Sequence, residues 1–268
     1  MWRHDSGLHR TVVNEVNAVL DACERLLESG ALGARLTVIS GDDRGSTAVV
    51  AHDGAVVAGS LPPDLAGDAV SDAVAVMERE QNVTLAYGEV DVFIETLASR
   101  PELLIFGAVH IAQSLTTLAS HLGYRVTVSD ARPAFTTRDR FPDADRLLVG
   151  WPDQVAADLE FGLNTFVVVL SHDARFEDPL WPLIKGKRVR YLGAMGSTRT
   201  AARRRERLHE AGWASEDIDR IHGPIGLDIG AETPGEVAVA ILGEMTRDRY
   251  RSDVPLNVRG EIRRIVKS

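Results

Sequence analysis

A histidine that closes an apolar run, with an acid beside it, can handle protons or anions, and Ser171, His172 and Asp173 follow "VVVL" in this way. Imidazole titrates near neutral pH, and a neighbouring carboxylate fixes its tautomer. The same pair would equally serve to cap the next helix. Zinc asks for at least three protein ligands, so this pair predicts no metal site. Four other clusters also end apolar runs. In "YLGAMGSTRT", Gly193 and Gly196 free the backbone, Ser197 or Thr198 can cap a helix, and Arg199 stands in its first turn. A cation there opposes the helix dipole unless an anion is close, so the segment reads as an anion nest. In "VTVSDARP", Asp130 lies about 20 positions after Gly107, the offset at which an acid can accept from a ribose. It can alternatively pair with Arg132 or Arg138.

In "LLIFGAVHIAQSL", Gly107 permits a tight turn into a helix, but Val109 and Ala112 stand where G-x-G-x-x-G has glycine. A valine at 109 is expected to crowd a pyrophosphate, which counts against a standard dinucleotide pose. The last cluster, "GPIGLDIGAETPGEV", surrounds Asp228 with Gly223, Gly226 and Gly230, a composition suited to close backbone approach to a ligand. Thr233, Pro234 and Glu236 form a capping box with proline in the first helical position. Ser197 and the loop before Pro234 are the segments most suited to hold an anion. "RRRER" (203–207) is expected to be the solvated face of its helix, and Cys23, on an apolar helical stripe, a buried small hydrophobe.

The elements that must position these residues fall into two grammars. Residues 12–27 carry a helical stripe stopped by Gly30; 35–40 and 47–59 read as strands, the latter a hairpin at Asp53-Gly54; "LPPDLAG" reads as a loop, 68–80 as a helix, and "VTLAY" and "VDVFIE" as strands. From about residue 99 strands and helices alternate: strands at 103–107, 125–129, 146–150, 165–170 and 189–193, helices at 109–122, 178–185 and 198–211, and a helix beginning at 234. Such alternation predicts a parallel sheet wrapped by helices, with ligands at the carboxyl ends of the strands. The expected class is therefore α/β: a Rossmann-like parallel-sheet domain over 99–250, a smaller α+β domain over 1–98, and a polar, basic tail over 251–268 with no assigned role.

The 268 residues are 44% hydrophobic, enough for a real core, and carry a formal charge of -9. That field disfavours nucleic acid and anionic membranes as partners. A single cysteine excludes an internal disulfide. No stretch approaches the roughly 18 apolar residues of a membrane span. A cytoplasmic protein is expected.

Taken in order, "LIFGAVHIAQSL", "VTVSDARPAFTTRDRFPDAD", "VVVLSHD", "YLGAMGSTRTAARRRERL" and "IHGPIGLDIGAETPGEVAVAIL" resemble the XdhC-type family of xanthine dehydrogenase accessory proteins, over residues 102–246. The resemblance implies a maturation factor rather than an enzyme, one that binds molybdenum cofactor and inserts it into a xanthine dehydrogenase-like molybdenum hydroxylase apo-enzyme, with a cysteine desulfurase as a further partner and a homodimer as the assembly. Gly107 and His110 correspond to the family's first-turn motif, Asp130 and Arg132 to its second-strand motif, and His172 with Asp173 to its "THD" element, Ser171 replacing threonine. With Gly193, Gly196, Ser197, Arg199, Gly226, Asp228 and Gly230 these make up the expected cofactor-binding set. Two departures stand out: Val109 replaces a glycine, and "GSLPPDLAGDAVSDAV" lacks the cysteine and paired glycines of the family's N-terminal "GGC-E" element. A different class of function, an NAD(P)-dependent oxidoreductase, is the alternative that the Rossmann grammar allows. A scaffold with a decayed cofactor site, its N-terminal domain dimerising or docking a partner, is a third.

Overall fold

The computed structural model describes residues 6–171, 173–250 and 261–262. They fall into two compact units: residues up to Ser99 together with the strand Glu261–Ile262, and Arg100–Arg249.

The first unit contains α1 (Ser6–Glu28), β1 (Gly33–Val38), β2 (Thr47–Ala51), β3 (Val56–Gly59), α2 (Pro63–Met77), β4 (Val83–Tyr87) and β5 (Val90–Leu97). Its antiparallel sheet runs β4-β5-β1-β2-β3, and Glu261–Ile262 pairs with the free side of β4. The β2–β3 hairpin turns where the sequence predicts: Gly54 has φ +85° and the Asp53 carboxylate accepts the Ala55 N–H at 3.0 Å. One expectation is corrected. From Pro63 onward the stretch read as a loop already belongs to α2, because Pro63 sits in its first turn, where a missing N–H costs nothing. Cys23 lies buried with Val19, Ala22 and Val49, and burial raises its thiol pKa.

The second unit comprises β6 (Glu102–Phe106), α3 (His110–His121), β7 (Arg125–Asp130), β8 (Arg146–Val149), β9 (Thr165–Val169), the one-turn helices α4 (Ala174–Glu177) and α5 (Trp181–Ile184), β10 (Tyr191–Ala194), α6 (Thr198–Glu210), α7 (Ser215–Asp219), β11 (Ile221–His222) and α8 (Pro234–Tyr250). All six strands are parallel, in the order β8-β7-β6-β9-β10-β11. Strands buried on both faces need apolar residues at every position, and β9 is buried throughout. Alternate side chains feed two cores. Leu103, Ile105, Val126, Val128 and Val168 meet α3 and α8; Leu104, Phe106, Val167 and Val169 meet Phe176, Trp181 and Leu208. The sheet is thus doubly wound. Of the helix expected over 178–185 only the turn Trp181–Ile184 (α5) forms, with Pro182 at its start, where a missing N–H is tolerated, and an unexpected one-turn helix, α4, precedes it. Neither α7 nor the two-residue β11 was expected, and both are too short for periodicity to register. Among the described residues no helix is long and apolar enough to cross a membrane.

Candidate functional site

In this strand order the chain leaves β6 for β7 on one side and enters β9 on the other, so the crevice of a doubly wound sheet falls between the carboxyl ends of β6 and β9. Gly107 follows β6 at this point. Its φ is +112°, and a β-carbon there would lie 3.2 Å from both the Leu170 carbonyl carbon and the Ser171 nitrogen. Both the dihedral and the approach strain any residue with a β-carbon. Gly107→Ala is expected to cost about 1–3 kcal/mol, seen as a lower denaturant midpoint; an unchanged midpoint would show that the two backbones part at little cost. The helix that follows is not capped by a side chain, leaving its first amides to face the crevice. His110 opens it and is exposed. Val109 packs against the core, and Ala112 is fully buried, small enough for close packing of α3 on the sheet.

Asp130 ends β7 and is 3% exposed. Its Oδ2 accepts from the Ala108 N–H at 2.8 Å and Arg132 Nη2 at 2.7 Å; its Oδ1 accepts from Arg132 N and Nε, both at 2.9 Å. Burial raises the pKa, but the guanidinium and the two backbone N–H groups outweigh it and hold the carboxyl below its usual range. The acid therefore fastens the turn after β6 to the turn after β7. After β9, Asp173 caps α4 and pairs with Arg175 at 2.7 Å, while Ser171 Oγ accepts from the Asp173 N–H at 3.1 Å. His172 lies outside the described residues.

After β10, Gly196 precedes Ser197, whose Oγ accepts from the Thr200 N–H at 3.2 Å as the N-cap of α6. Ser197, Thr198 and Arg199 are exposed. Gly193 faces the other way: a β-carbon there would sit 2.6 Å from Ile225, so it makes room for the loop after β11. Gly226 serves the same loop, donating its N–H to Glu244 Oε2 at 2.8 Å and lying against Ala240 and Ile241 of α8. Asp228 and Gly230 are exposed, with Ile229 beside them. The predicted capping box is present: Glu236 accepts from the Thr233 and Glu232 N–H groups at 2.9 Å, and Thr233 Oγ1 from the Glu236 N–H at 3.3 Å.

Sequence reasoning missed two clusters that hold these loops. Arg204, expected on a solvated face, is buried; it pairs with Glu177 of α4 at 2.9 and 3.0 Å and donates to the Met195 carbonyl at 2.8 Å. Its helical neighbours in phase, Ala201 and Leu208, are the signal that could have placed it inward. The second cluster joins Tyr191, His222, Glu244 and Asp248. Tyr191 OH donates to Glu244 at 2.7 Å, and His222 meets Glu244 at 3.3 Å through Nδ1 and Asp248 at 2.7 Å through Nε2.

A doubly wound sheet of this order, with polar loops gathered at its carboxyl rim, defines a Rossmann-type ligand-binding domain. The chain belongs to the XdhC family: residues 103–245 match the XdhC Rossmann domain. Relatives include a probable xanthine dehydrogenase component from Bacillus subtilis (strain 168), 32% identical over 161 residues, 60% of this chain and 47% of that protein. The molybdenum cofactor insertion chaperone PaoD of Escherichia coli (strain K12) is 28% identical over 151 residues, 56% of this chain and 41% of PaoD. The chain thus spans less than half the length of these relatives. A solved xanthine dehydrogenase structure from Bacillus halodurans shares the fold, with a TM-score of 0.52 at 17% identity, covering 85% of this chain and 93% of that one.

Proposed function

We propose that this chain binds molybdenum cofactor as cargo and passes it to a xanthine dehydrogenase-type molybdenum hydroxylase. The observation that carries the reading is the topological switch point between β6 and β9, where loops from neighbouring strands bring polar groups that suit an anionic heterocycle. The names of the two relatives, one a cofactor insertion chaperone, support it. The cargo brings a phosphate and a flat, hydrogen-bonding pterin. The exposed start of α6, with Ser197, Thr198 and Arg199, suits the phosphate through amide donors and a cation. Arg132, gripped by Asp130, suits the flat ring. His110 and the loop carrying Asp228 and Gly230 complete the rim, and His172 belongs to the same proposal. Once delivered, the cargo supplies the molybdenum chemistry of the receiving enzyme; these residues bind it, orient it and shield it. A cysteine desulfurase that supplies sulfur to the cargo belongs to the same reading, and the chain's single cysteine is buried. A homodimer and a cytoplasmic setting belong to the same reading.

Anaerobic incubation with isolated cofactor, followed by gel filtration and pterin fluorescence, is expected to show co-elution. Asp130→Asn should weaken retention about tenfold, because an amide nitrogen replaces an acceptor for charged and backbone donors. Loss of co-elution in the unmodified chain would remove the proposal.

The strand order also favours a second reading, a nicotinamide dinucleotide in the crevice. Val109, packed on the core, does not oppose it. Asp130 does, since four donors already occupy the carboxylate that would have to accept from a ribose. Calorimetric titration with NAD and NADP is expected to show no micromolar binding; binding at that level would promote the oxidoreductase.

A further inference from the structure

The loop after β7 places an aromatic ring and two guanidiniums together. Phe135 is 41% exposed. The Arg132 guanidinium carbon lies 4.3 Å from its ring centroid and that of Arg140 5.0 Å, while Arg140 Nη1 donates to the Phe135 carbonyl at 2.7 Å. Arg132 is held along one edge by Asp130 through Nε and Nη2, yet its side chain is 53% exposed. Nη1 of Arg132 has no partner among the described residues. Fixing a half-exposed arginine sacrifices side-chain entropy. Fastening Asp130 accounts for the gripped edge. It does not account for a large ring backing the same guanidinium at the carboxyl rim, within one strand of Gly107.

We propose that Arg132, backed by Phe135 and flanked by Arg140, is a stacking platform for a planar nitrogen heterocycle carrying a phosphate. The ring lies on the outer face of the guanidinium. Guanidinium planes accept flat heterocycles of many kinds, and a plane locked on its edge and one face meets a ligand with little further ordering. Two sources share this chemistry: the pterin of the cargo itself, or a nucleotide attached to it. The inference rests on the reading of the crevice as a site for such cargo, and it assigns the heterocycle to β7 while leaving a phosphate to α6.

The test is equilibrium binding of three probes, 6-hydroxymethylpterin, CMP and inorganic phosphate, to the full chain and to Arg132→Lys, Phe135→Leu and Phe135→Tyr. At least one ring probe is expected to bind, and to weaken about tenfold in Arg132→Lys, which keeps the charge and loses the plane, and in Phe135→Leu. Phe135→Tyr should bind like the unmodified chain. Which ring probe binds identifies the source. No binding of either ring probe, equal binding in Arg132→Lys and Phe135→Leu, or complete competition by phosphate alone would each overturn the platform. Because Phe135 is exposed, Phe135→Leu is expected to melt with the unmodified chain, which separates binding from folding. Cofactor retention reports separately: retention that Arg132→Lys and Phe135→Leu leave intact overturns the platform only, whereas ring-probe binding without cofactor retention overturns the cargo reading only.

Discussion

Arg204→Ala is expected to destabilise the second unit by about 3 kcal/mol, read as a fall of roughly 10 °C in the thermal transition reported by tryptophan emission. Both side chains of the Arg204–Glu177 pair are 3% exposed, the guanidinium lies over Trp181, and removing the cation leaves a buried carboxylate short of its main partner. The range for breaking such a pair is about 3–5 kcal/mol, and the lower end applies because Arg207 still reaches Glu177 at 3.4 Å. The converse substitution sharpens the test. Arg204→Met combined with Glu177→Leu should recover more than half of the loss, since a buried ion pair roughly breaks even against apolar packing. A double variant no more stable than Arg204→Ala would mean that the tie to the Met195 carbonyl matters more than the charge pair.

The second large effect is a dependence of stability on pH centred on His222. Burial alone would lower its pKa, but hydrogen bonds and charge from Asp248 and Glu244 raise it to about 9, and Glu244 is correspondingly lowered to about 2. Tyr191 is raised, by burial first and then by Glu244, so it remains a donor throughout. Arg247 also meets Glu244 and Asp248, at 3.3 and 3.1 Å. A histidine with a raised folded pKa contributes fully below its unfolded value near 6.5, and the contribution fades as pH rises towards 9. A carboxylate with a lowered folded pKa contributes above its unfolded value near 4.5 and fades as pH falls towards 2. The cluster therefore works best between about pH 4.5 and 6.5. Between pH 6.5 and 9 the denaturant midpoint should decline by the equivalent of about 2 kcal/mol, allowing for solvent screening. In His222→Asn that alkaline limb should flatten. An identical limb in the variant would assign it to other groups.

Much of the scaffold is written locally. The apolar runs at 103–106 and 166–169, short and alternating with helical stripes, read as strands buried on both faces, Asp53-Gly54 can turn a hairpin with its own side chain, and Thr233 and Glu236 cap a helix without outside help. The same holds for the family resemblance, whose motifs sit at the strand ends where the sheet needs loops. What escapes is whatever depends on partners distant in the chain. Arg204 is a surface residue by composition and a core residue by phase, and only Glu177, on a helix too short for periodicity to reveal, decides between the two. His222 carries no local mark at all, because its partners arrive with α8. Asp130 shows the intermediate case: its pairing with Arg132 was one of two readings open to the sequence, and the turn geometry selects it by adding the Ala108 amide. Pro63 misled for a simpler reason, since proline marks both loops and first helical turns.

The contact at Gly107 has a consequence for how selectivity can change. Where two crossover segments approach each other this closely at their main chains, peptide groups supply much of the bed, and these are the same whatever residues surround them. Retuning of the guest must therefore come from the periphery, from positions such as 132, 135 and 199. A mutational library confined to that border would explore ligand preference while leaving the bed, and the closure of the sheet above it, untouched.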